Sequence, residues 1–421
     1  MTIIFNKNHC WNIFSFLFLV WIYSSHLTFL YADNASSIEI NNLTYKSFSV
    51  AFDIESSAKP QELSYLHDNI RKNLKWSGMY EINLNPNQAD VTIGINYTPN
   101  DQIIATISSR WGSQFFEIKK PLKETDHTFQ VFDKIINEII FQLTGERSHL
   151  GNAIVFIEKG TYKGYKLVLI DPYGDGRRVL VDDGNLNILP RWKPDSTAIL
   201  FTALGSSGSK IKQFNFKTKN IKTFLASRDK FSGGTWGPKD ELIITISKKG
   251  NSDLYKINQE GKILQRLTHR SSTESNPRWS PDGERLVFIS NRSGSIQIYQ
   301  RDMKTGEEYR MSYEGGTNVE PSWSSNGAYI IFAGIRNGLY QIFLMDKDGT
   351  FTQQITNGGD SSEQPVWAPS GRHILFTSKV GYDYKLYIMN ADGTNSRRVT
   401  QTGTGISEFN PAWTANFDWQ K

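Results

Sequence analysis

Histidines and paired acidic side chains are the residues of this chain that could bind a metal or act as acid and base. After position 32 the histidines are scattered, with no H-x-x-x-H or H-x-H spacing: His67, His127, His149, His269 and His373. A metal site built on one helix face or one strand would need such a spacing. The chain also has no G-x-S-x-G nucleophile motif. The sequence therefore predicts no catalytic residue, no metal site and no cofactor.

Carboxylates beside glycine recur in short turns, as in S-P-D-G around Asp282 and D-K-D-G from Asp346. A calcium loop would need further oxygen ligands at fixed positions, and these segments lack them. Proline fixes φ and glycine accepts a positive φ, so the same residues suit a tight turn. We interpret these carboxylates as parts of turns that join strands.

A tryptophan recurs at a nearly fixed interval through the second part of the chain. It ends an x-P-x-W segment in most copies, as in Asn276–Trp279, and successive copies lie 43 to 46 residues apart. The series is Trp192, Trp236, Trp279, Trp323, Trp367 and Trp413. Self-similarity at this period indicates a repeat architecture. We expect each indole to pack between neighbouring repeats.

Each repeat contains four short stretches typical of strands, such as L-V-F-I-S (286–290) and I-Q-I-Y-Q (296–300). Their apolar residues alternate with period two, which favours strands over helices. Four strands in about 44 residues match a propeller blade. A partial repeat precedes Trp192 and only a short x-P-A-W segment follows the last repeat, so the C-terminal strand should close the first blade. The prediction is an all-β six-bladed β-propeller over residues 150–421.

The first 32 residues read as an export signal. Residues 1–9 carry one charged side chain, Lys7, and an apolar run from Trp11 to Tyr23 follows them. We expect cleavage after about Ala32. An uncleaved membrane anchor over residues 11–31 is the alternative. Cys10 is the chain's one cysteine, so the exported chain would have no disulfide. The net charge of +5, without a basic stripe, gives no indication of nucleic-acid binding.

Residues 33–149 lack the repeat and predict a small α/β domain. Strands are expected at 47–54 and in a hairpin of 90–97 with 102–111. Helices are expected at 62–75 and 127–143, because apolar residues there fall on one helical face. Gly145 would end the second helix, and residues 145–151 would form the linker.

The residues just before each x-P-x-W should surround one mouth of the propeller channel, beside the loops between second and third strands. Their polar mixture suits a protein partner better than an apolar small molecule. The candidate contact residues are Lys230, Glu274, Ser275, Asn276, Asn318, Glu320, Glu363, Gln364 and Asn410. Tyr382 and Tyr384 lie in one of the neighbouring loops.

The chain resembles the TolB family, the periplasmic components of the Tol–Pal system of Gram-negative envelopes. The resemblance rests on the W-S-P-D-G repeats together with three N-terminal segments: F-S-V-A-F from Phe48, S-G-M-Y from Ser77 and F-Q-L-T-G from Phe141. It covers nearly the whole exported chain. It implies a non-enzymatic periplasmic adaptor that supports outer-membrane integrity and constriction at cell division.

The resemblance also implies partners. The peptidoglycan-associated lipoprotein Pal would bind the propeller mouth, where the family's contacts fall on Lys230, Ser275 and Asn276. TolA, an inner-membrane protein, would engage the exported N-terminus near residues 33–42. There the matching residues are Asp33, Ile38, Glu39 and Ile40. Other outer-membrane proteins are further candidate partners.

Two other functions fit a secreted propeller. A carbohydrate- or peptidoglycan-binding propeller would need exposed aromatic residues at the mouth, for which Tyr382 and Tyr384 are the candidates. A propeller lyase resembling oligogalacturonate lyases would need a histidine-based metal cluster, which the scattered histidines do not offer.

Overall fold

The computed structural model describes residues 48–54, 60–77, 80–82, 85, 88–98, 102–110, 113–121, 128–144 and 151–419, the last range without 161–163, 207, 238–239, 314 and 416. The predicted export signal lies outside these residues, and so do Asp33, Ile38, Glu39 and Ile40. Contacts divide the chain into one unit that ends at Leu150 and another that begins at Gly151.

The first unit contains a five-stranded sheet and two helices. The strands are β1 (Phe48–Ile54), β2 (Tyr80–Ile82), β3 (Val91–Thr98), β4 (Gln102–Ser109) and β5 (Gln114–Pro121), and the helices are α1 (Pro60–Ser77) and α2 (Thr128–Thr144). The strand order is β2-β1-β3-β4-β5. Strand β1 pairs in parallel with β2 and β3, whereas β3, β4 and β5 pair antiparallel.

The core of this unit follows from two periodicities in the sequence. Burial alternates along β4, so that Ile103, Ala105 and Ile107 face the core and the residues that alternate with them are partly exposed. Leu66 and Ile70 are one turn apart on α1, and α2 buries Phe132 and its apolar neighbours in the same cluster. The sequence did not predict β5, a strand at the sheet edge that carries two lysines.

The second unit is built of strands. They are β6 (Ala153–Lys159), β7 (Tyr165–Ile170), β8 (Arg178–Val181), β9 (Leu186–Trp192), β10 (Ala198–Gly205), β11 (Gly208–Asn215), β12 (Ile221–Ser227), β13 (Lys230–Trp236), β14 (Leu242–Lys248), β15 (Asn251–Ile257), β16 (Ile263–Arg266), β17 (Glu274–Trp279), β18 (Arg285–Ser290), β19 (Gln297–Asp302), β20 (Glu308–Arg310), β21 (Asn318–Trp323), β22 (Tyr329–Arg336), β23 (Leu339–Asp346), β24 (Thr352–Gln354), β25 (Ser362–Trp367), β26 (His373–Val380), β27 (Asp383–Asn390), β28 (Arg397–Arg398) and β29 (Ser407–Thr414).

These strands form four sheets of four strands and one sheet of eight. The four-stranded sheets are β13–β16, β17–β20, β21–β24 and β25–β28, each in sequence order. The eight-stranded sheet joins two antiparallel runs, β29-β6-β7-β8 and β9-β10-β11-β12, through one parallel pair between Tyr165 and Leu186. The C-terminal strand β29 therefore pairs with β6, the first strand of the unit. Strands from both ends of the unit thus share a sheet, which leaves fewer free edges.

The first strands of these runs surround a common centre. Strand β9 contacts β13, and the chain of contacts continues through β17, β21, β25 and β29 back to β9. Tryptophans at the ends of these strands, such as Trp192 and Trp323, pack against the preceding run of strands. Trp323 shares a cluster with Val287 and Ile298 of the preceding sheet, and the Nε1 of Trp192 donates to the carbonyl of Ala412, 3.1 Å away.

The S-P-D-G segment forms the turn expected from its residues. The amide of Gly283, whose φ is 74°, donates to the carbonyl of Ser280 over 3.0 Å. The carboxylate of Asp282 accepts a hydrogen bond from the amide of Glu284 over 2.9 Å. Hydrogen bonds from Ser280 and Glu284 lower the pKa of Asp282. Its carboxylate is thus engaged within the turn.

Candidate partner-binding site

A left-handed residue lies three positions before each repeat tryptophan. These residues have φ between 48° and 66°, and they are Leu189, Gly233, Asn276, Glu320, Gln364 and Asn410. The strand register shifts at this point, for example between Ser275 and Arg278 in the pairing of β17 with β18. Each first strand therefore carries a β-bulge, which turns the following residues toward the centre.

Five of the six left-handed residues line one central cavity. The lining consists of Leu189, Arg191, Asn276, Arg278, Glu320, Gln364, Pro365, Val366, Asn410 and Pro411. The cavity has a volume of about 20 Å³, counted as the space that the centre of a water molecule can occupy. A cavity of that size holds about one water molecule. The channel is thus too narrow at this level for an organic ligand.

Three of the predicted contact residues form a hydrogen-bonded relay from sheet to sheet. The Oε2 of Glu320 accepts from the amide of Gln364 over 2.7 Å, and the Oε1 of Gln364 accepts from the amide of Asn410 over 2.6 Å. The Oδ1 of Asn410 then accepts from the amide of Leu189 over 3.3 Å. These side chains therefore hold neighbouring first strands together around the cavity.

Two other predicted contact residues are fully buried. Glu274 and Asn318 both have no exposed surface. The Oε1 of Glu274 accepts from the hydroxyl of Ser290 over 2.8 Å, and the Nδ2 of Asn318 donates to the Oε1 of Gln297 over 2.8 Å. Because these side chains lie between strands rather than at the surface, we leave them out of the partner-binding surface.

Two carboxylates near the cavity are poorly solvated. Burial raises the pKa of Glu320 to about 7, and the negative charge of Glu363 adds to the rise, while the charge of Arg191 opposes it. Burial likewise raises the pKa of Glu363. The pKa of Arg191 is lowered to about 10 by burial, against the attraction of Glu320. The mouth therefore holds partly desolvated charges of both signs.

When equivalent positions of the repeats are compared, aromatic residues and serines occupy different parts of the ring, and Ile188, Ile296 and Val319 hold three of the other positions. We call Tyr165, Tyr340, Glu363, Tyr384 and Phe409 the aromatic sector, and Ser209, Ser232, Ser252 and Ser275 the serine sector. Residues of both sectors occupy either the start of a third strand, as Tyr384 and Ser252 do, or the position four before a tryptophan, as Glu363 and Ser275 do. Tyrosine and phenylalanine rings thus lie in three consecutive runs, and the serines lie in the other three.

Side chains in the aromatic sector contact one another. The hydroxyl of Tyr384 lies 3.4 Å from the Oε1 of Glu363, and its ring centroid is 5.3 Å from that of Phe409. The ring of Phe409 stacks on Tyr165 at 6.5 Å. Sequence reasoning missed Tyr165, Tyr340 and Phe409, although aligning the repeats on their tryptophans would have placed them beside Tyr384 and Glu363.

The exposed members of the mouth complete the surface. Lys230 is exposed at the start of β13, and Ser275 and Asn276 are partly exposed. Tyr382 is fully exposed at the tip of the hairpin between β26 and β27. The structure therefore brings Lys230 and Ser275 to one half of the mouth and Glu363 to the other.

His373 is a buried histidine in β26. Its pKa is lowered to about 4, mainly by burial and also by the charges of Arg397 and Arg372.

No group of three or more His, Cys, Asp or Glu side chains that could hold a metal occurs within the part of the chain that the structure describes. Neither described helix is both long and apolar enough to cross a bilayer.

The chain is similar to known proteins of one family. Residues 141–417 match the model of the TolB beta propeller domain. A TolB homologue of Chlorobium luteolum is 31% identical over 156 residues, 37% of this chain and 35% of that protein. A TolB homologue of Chlorobium chlorochromatii is 27% identical over 191 residues, 45% of this chain and 41% of that protein. These matches thus span less than half the length of the relatives.

A solved structure extends the likeness of the fold. The crystal structure of TolB from Acinetobacter baumannii superposes with a TM-score of 0.74, at 18% identity, over 87% of this chain and 96% of that one. At that identity the likeness shows the fold alone. The family model, by contrast, matches well over half of the chain. The chain belongs to the TolB β-propeller family.

Proposed function

We propose that this chain is a non-enzymatic periplasmic adaptor of a Tol–Pal system, exported by a signal that is cleaved after about Ala32. One relative that is 29% identical over 147 residues, from Anaeromyxobacter dehalogenans, carries the name Tol-Pal system protein TolB. In this proposal the second unit is a six-bladed propeller, whose eight-stranded sheet counts as two blades. The first unit is its N-terminal α/β domain.

The observation that carries the proposal is the construction of the mouth. Its central cavity has room for about one water molecule, and Glu320, Gln364 and Asn410 are tied between sheets. The polar and aromatic surface around this narrow centre suits a flat protein contact better than a small ligand. We therefore place the lipoprotein Pal at the mouth, with Lys230, Ser275, Asn276, Glu363 and the relay residues around it.

The second partner is assigned from the family resemblance. TolA would bind the exported N-terminal segment, with Asp33, Ile38, Glu39 and Ile40 as its contacts. Binding both partners would link the inner membrane to the outer membrane and support outer-membrane integrity during cell division. Deleting residues 33–42 should then abolish capture of TolA and leave binding of Pal measurable. Retained capture of TolA by the shortened chain would disprove this assignment.

The Pal assignment is tested by calorimetric titration of the exported chain with the soluble domain of Pal from the same organism. Lys230→Glu should raise the Kd, because it reverses an exposed charge at the mouth. Lys304→Glu is the matched control. Lys304 is exposed in the turn between β19 and β20, and β19 begins at the mouth and ends at this turn, so Lys304 lies away from the mouth. No heat and no complex with the parent chain would remove the assignment. Equal weakening by both variants would move the contact away from the mouth.

A further inference from the structure

The aromatic sector has a composition that the rest of the mouth lacks. Tyr165, Tyr340 and Tyr384 occupy the start of the third strand in three consecutive runs around the ring. The equivalent residues in the next three runs are Ser209, Ser252 and Ile296. Because the backbone repeat is the same throughout, it does not require a tyrosine at this position. The rings are therefore a property of this side of the mouth and not of the propeller fold.

Two carboxylates adjoin these rings without a close counter-charge. Among the residues that the structure describes, no lysine or arginine nitrogen lies within 4.0 Å of the carboxylate of Glu363 or Glu320. Lys379 and Arg191 act on them only from a greater distance. Both negative charges also act on the hydroxyl of Tyr340, so that carboxylates and rings share one site.

We propose that the aromatic sector receives a lysine or arginine side chain of the protein partner, held between the tyrosine rings and the carboxylate of Glu363. This inference rests on the proposed adaptor function and names the chemistry of its contact. The occupant of the sector is thus a basic segment of a protein.

The chemistry of the sector favours a cation over a neutral sugar. A cation over an aromatic face is attracted by the ring quadrupole, and a guanidinium also donates charge-assisted hydrogen bonds to a carboxylate. The chain already uses such pairs, with Arg292 over the ring of Tyr299 at 4.5 Å and Lys159 over that of Tyr165 at 5.7 Å. A neutral glycan would cover the partly buried carboxylate of Glu363 and leave it without a counter-charge, which costs free energy.

The test compares variants of the exported chain in titrations with the soluble domain of Pal. Glu363→Gln keeps the size of the side chain and removes its charge, so the Kd should rise tenfold or more, or about 1.4 kcal/mol. The Kd of the parent should also rise steeply with sodium chloride, and that of Glu363→Gln should rise less. Ser252→Ala is the matched control, because Ser252 holds the position of Tyr384 on the opposite half of the ring.

A second variant separates the rings from the charge. Tyr384→Phe keeps the ring and removes the hydroxyl that contacts Glu363, so it should weaken binding less than Tyr384→Ala does. Each variant should melt within a few degrees of the parent, since these side chains lie at the surface of the sheet. An unchanged Kd in Glu363→Gln, with binding weakened by Lys230→Glu, would overturn the inference and leave the adaptor function standing.

Two further ligands keep the inference testable if the parent chain does not bind Pal. Hexa-arginine should bind the parent and lose affinity in Glu363→Gln, whereas equal binding by both would overturn the inference. Tetrameric N-acetylglucosamine is the sugar probe. If it binds the parent, loses affinity in Tyr384→Ala and keeps it in Glu363→Gln, the sector is a glycan site and the basic occupant is wrong.

Discussion

The aromatic sector and the serine sector carry different side chains at equivalent positions of one backbone repeat. In the serine sector the hydroxyl of Ser209 accepts from the amide of Phe231 over 2.6 Å and donates to the carbonyl of Asp229 over 2.7 Å. In the aromatic sector the hydroxyl of Tyr384 extends to Glu363 instead. Ser209 thus joins two neighbouring runs of strands, whereas Tyr384 contributes to a surface.

The relay falls on the same half of the ring as the aromatic sector. It runs from Glu320 through Gln364 and Asn410 to Leu189, the region where β29 pairs with β6. On the other half, the amide of Gly233 is held by the hydroxyl of Thr202 over 3.1 Å. Side chains at the left-handed position therefore tie the half of the ring where the two ends of the unit meet.

The largest effect should come from Glu408, which is fully buried in β29. Its carboxylate accepts from the amide of Leu386 over 2.8 Å and from the hydroxyls of Thr400 and Thr402. Glu408→Ala should lower the free energy of unfolding by about 3 kcal/mol, because two buried donors and one partly exposed donor lose their acceptor. Urea denaturation measures the loss, and hydrogen exchange should show that it begins with β29.

Ser362→Ala is the control for this prediction, since Ser362 holds the equivalent buried position in β25. A serine hydroxyl removed there should cost about 1 kcal/mol or less. Losses of equal size in the two variants would mean that closure at β29 is no more dependent on side chains than the other first strands are.

The fold could be predicted from the sequence further than the site could. The spacing of the tryptophans and the period-two strands gave the repeat and the role of β29, because both depend on local patterns. The bulge was not predicted, because leucine, glutamate and glutamine hold three of the six left-handed positions and rarely adopt a positive φ. Alternation counted through Glu320 or Gln364 therefore assigns faces wrongly, and Glu274 and Asn318 were placed on the surface although they are buried.

An intermediate effect should appear as a pH dependence of stability on the aromatic half. The pKa of Glu320, about 7 in the folded chain, lies above that of an unfolded glutamate, so the folded chain binds more protons between these values. Stability should fall as the pH rises through 7. Between pH 6.5 and 8 the parent should lose about 1 kcal/mol more than Glu320→Gln does.

Urea midpoints of both proteins at the two pH values give this difference. The glutamine can still accept from the amide of Gln364, so the variant removes the titration and keeps the relay. His373, whose folded pKa is about 4, has the opposite effect on stability, but it is present in both proteins and cancels. Identical pH dependence in the two proteins would show that Glu320 does not titrate in this range.

The smallest predicted effect is a difference in stability between two substitutions at the left-handed position, one on each half of the ring. Gln364→Gly relieves the backbone strain of a positive φ of 56°. It also removes the acceptor of the Asn410 amide and of the Thr377 hydroxyl, so the free energy of unfolding should fall by about 1 kcal/mol. Asn276→Gly should change stability by about 0.5 kcal/mol or less, because asparagine already tolerates this φ and glycine gains entropy when unfolded. Thermal denaturation of both variants measures the contrast. A larger loss for Asn276→Gly would place the stabilising side chain on the serine half and reverse the comparison.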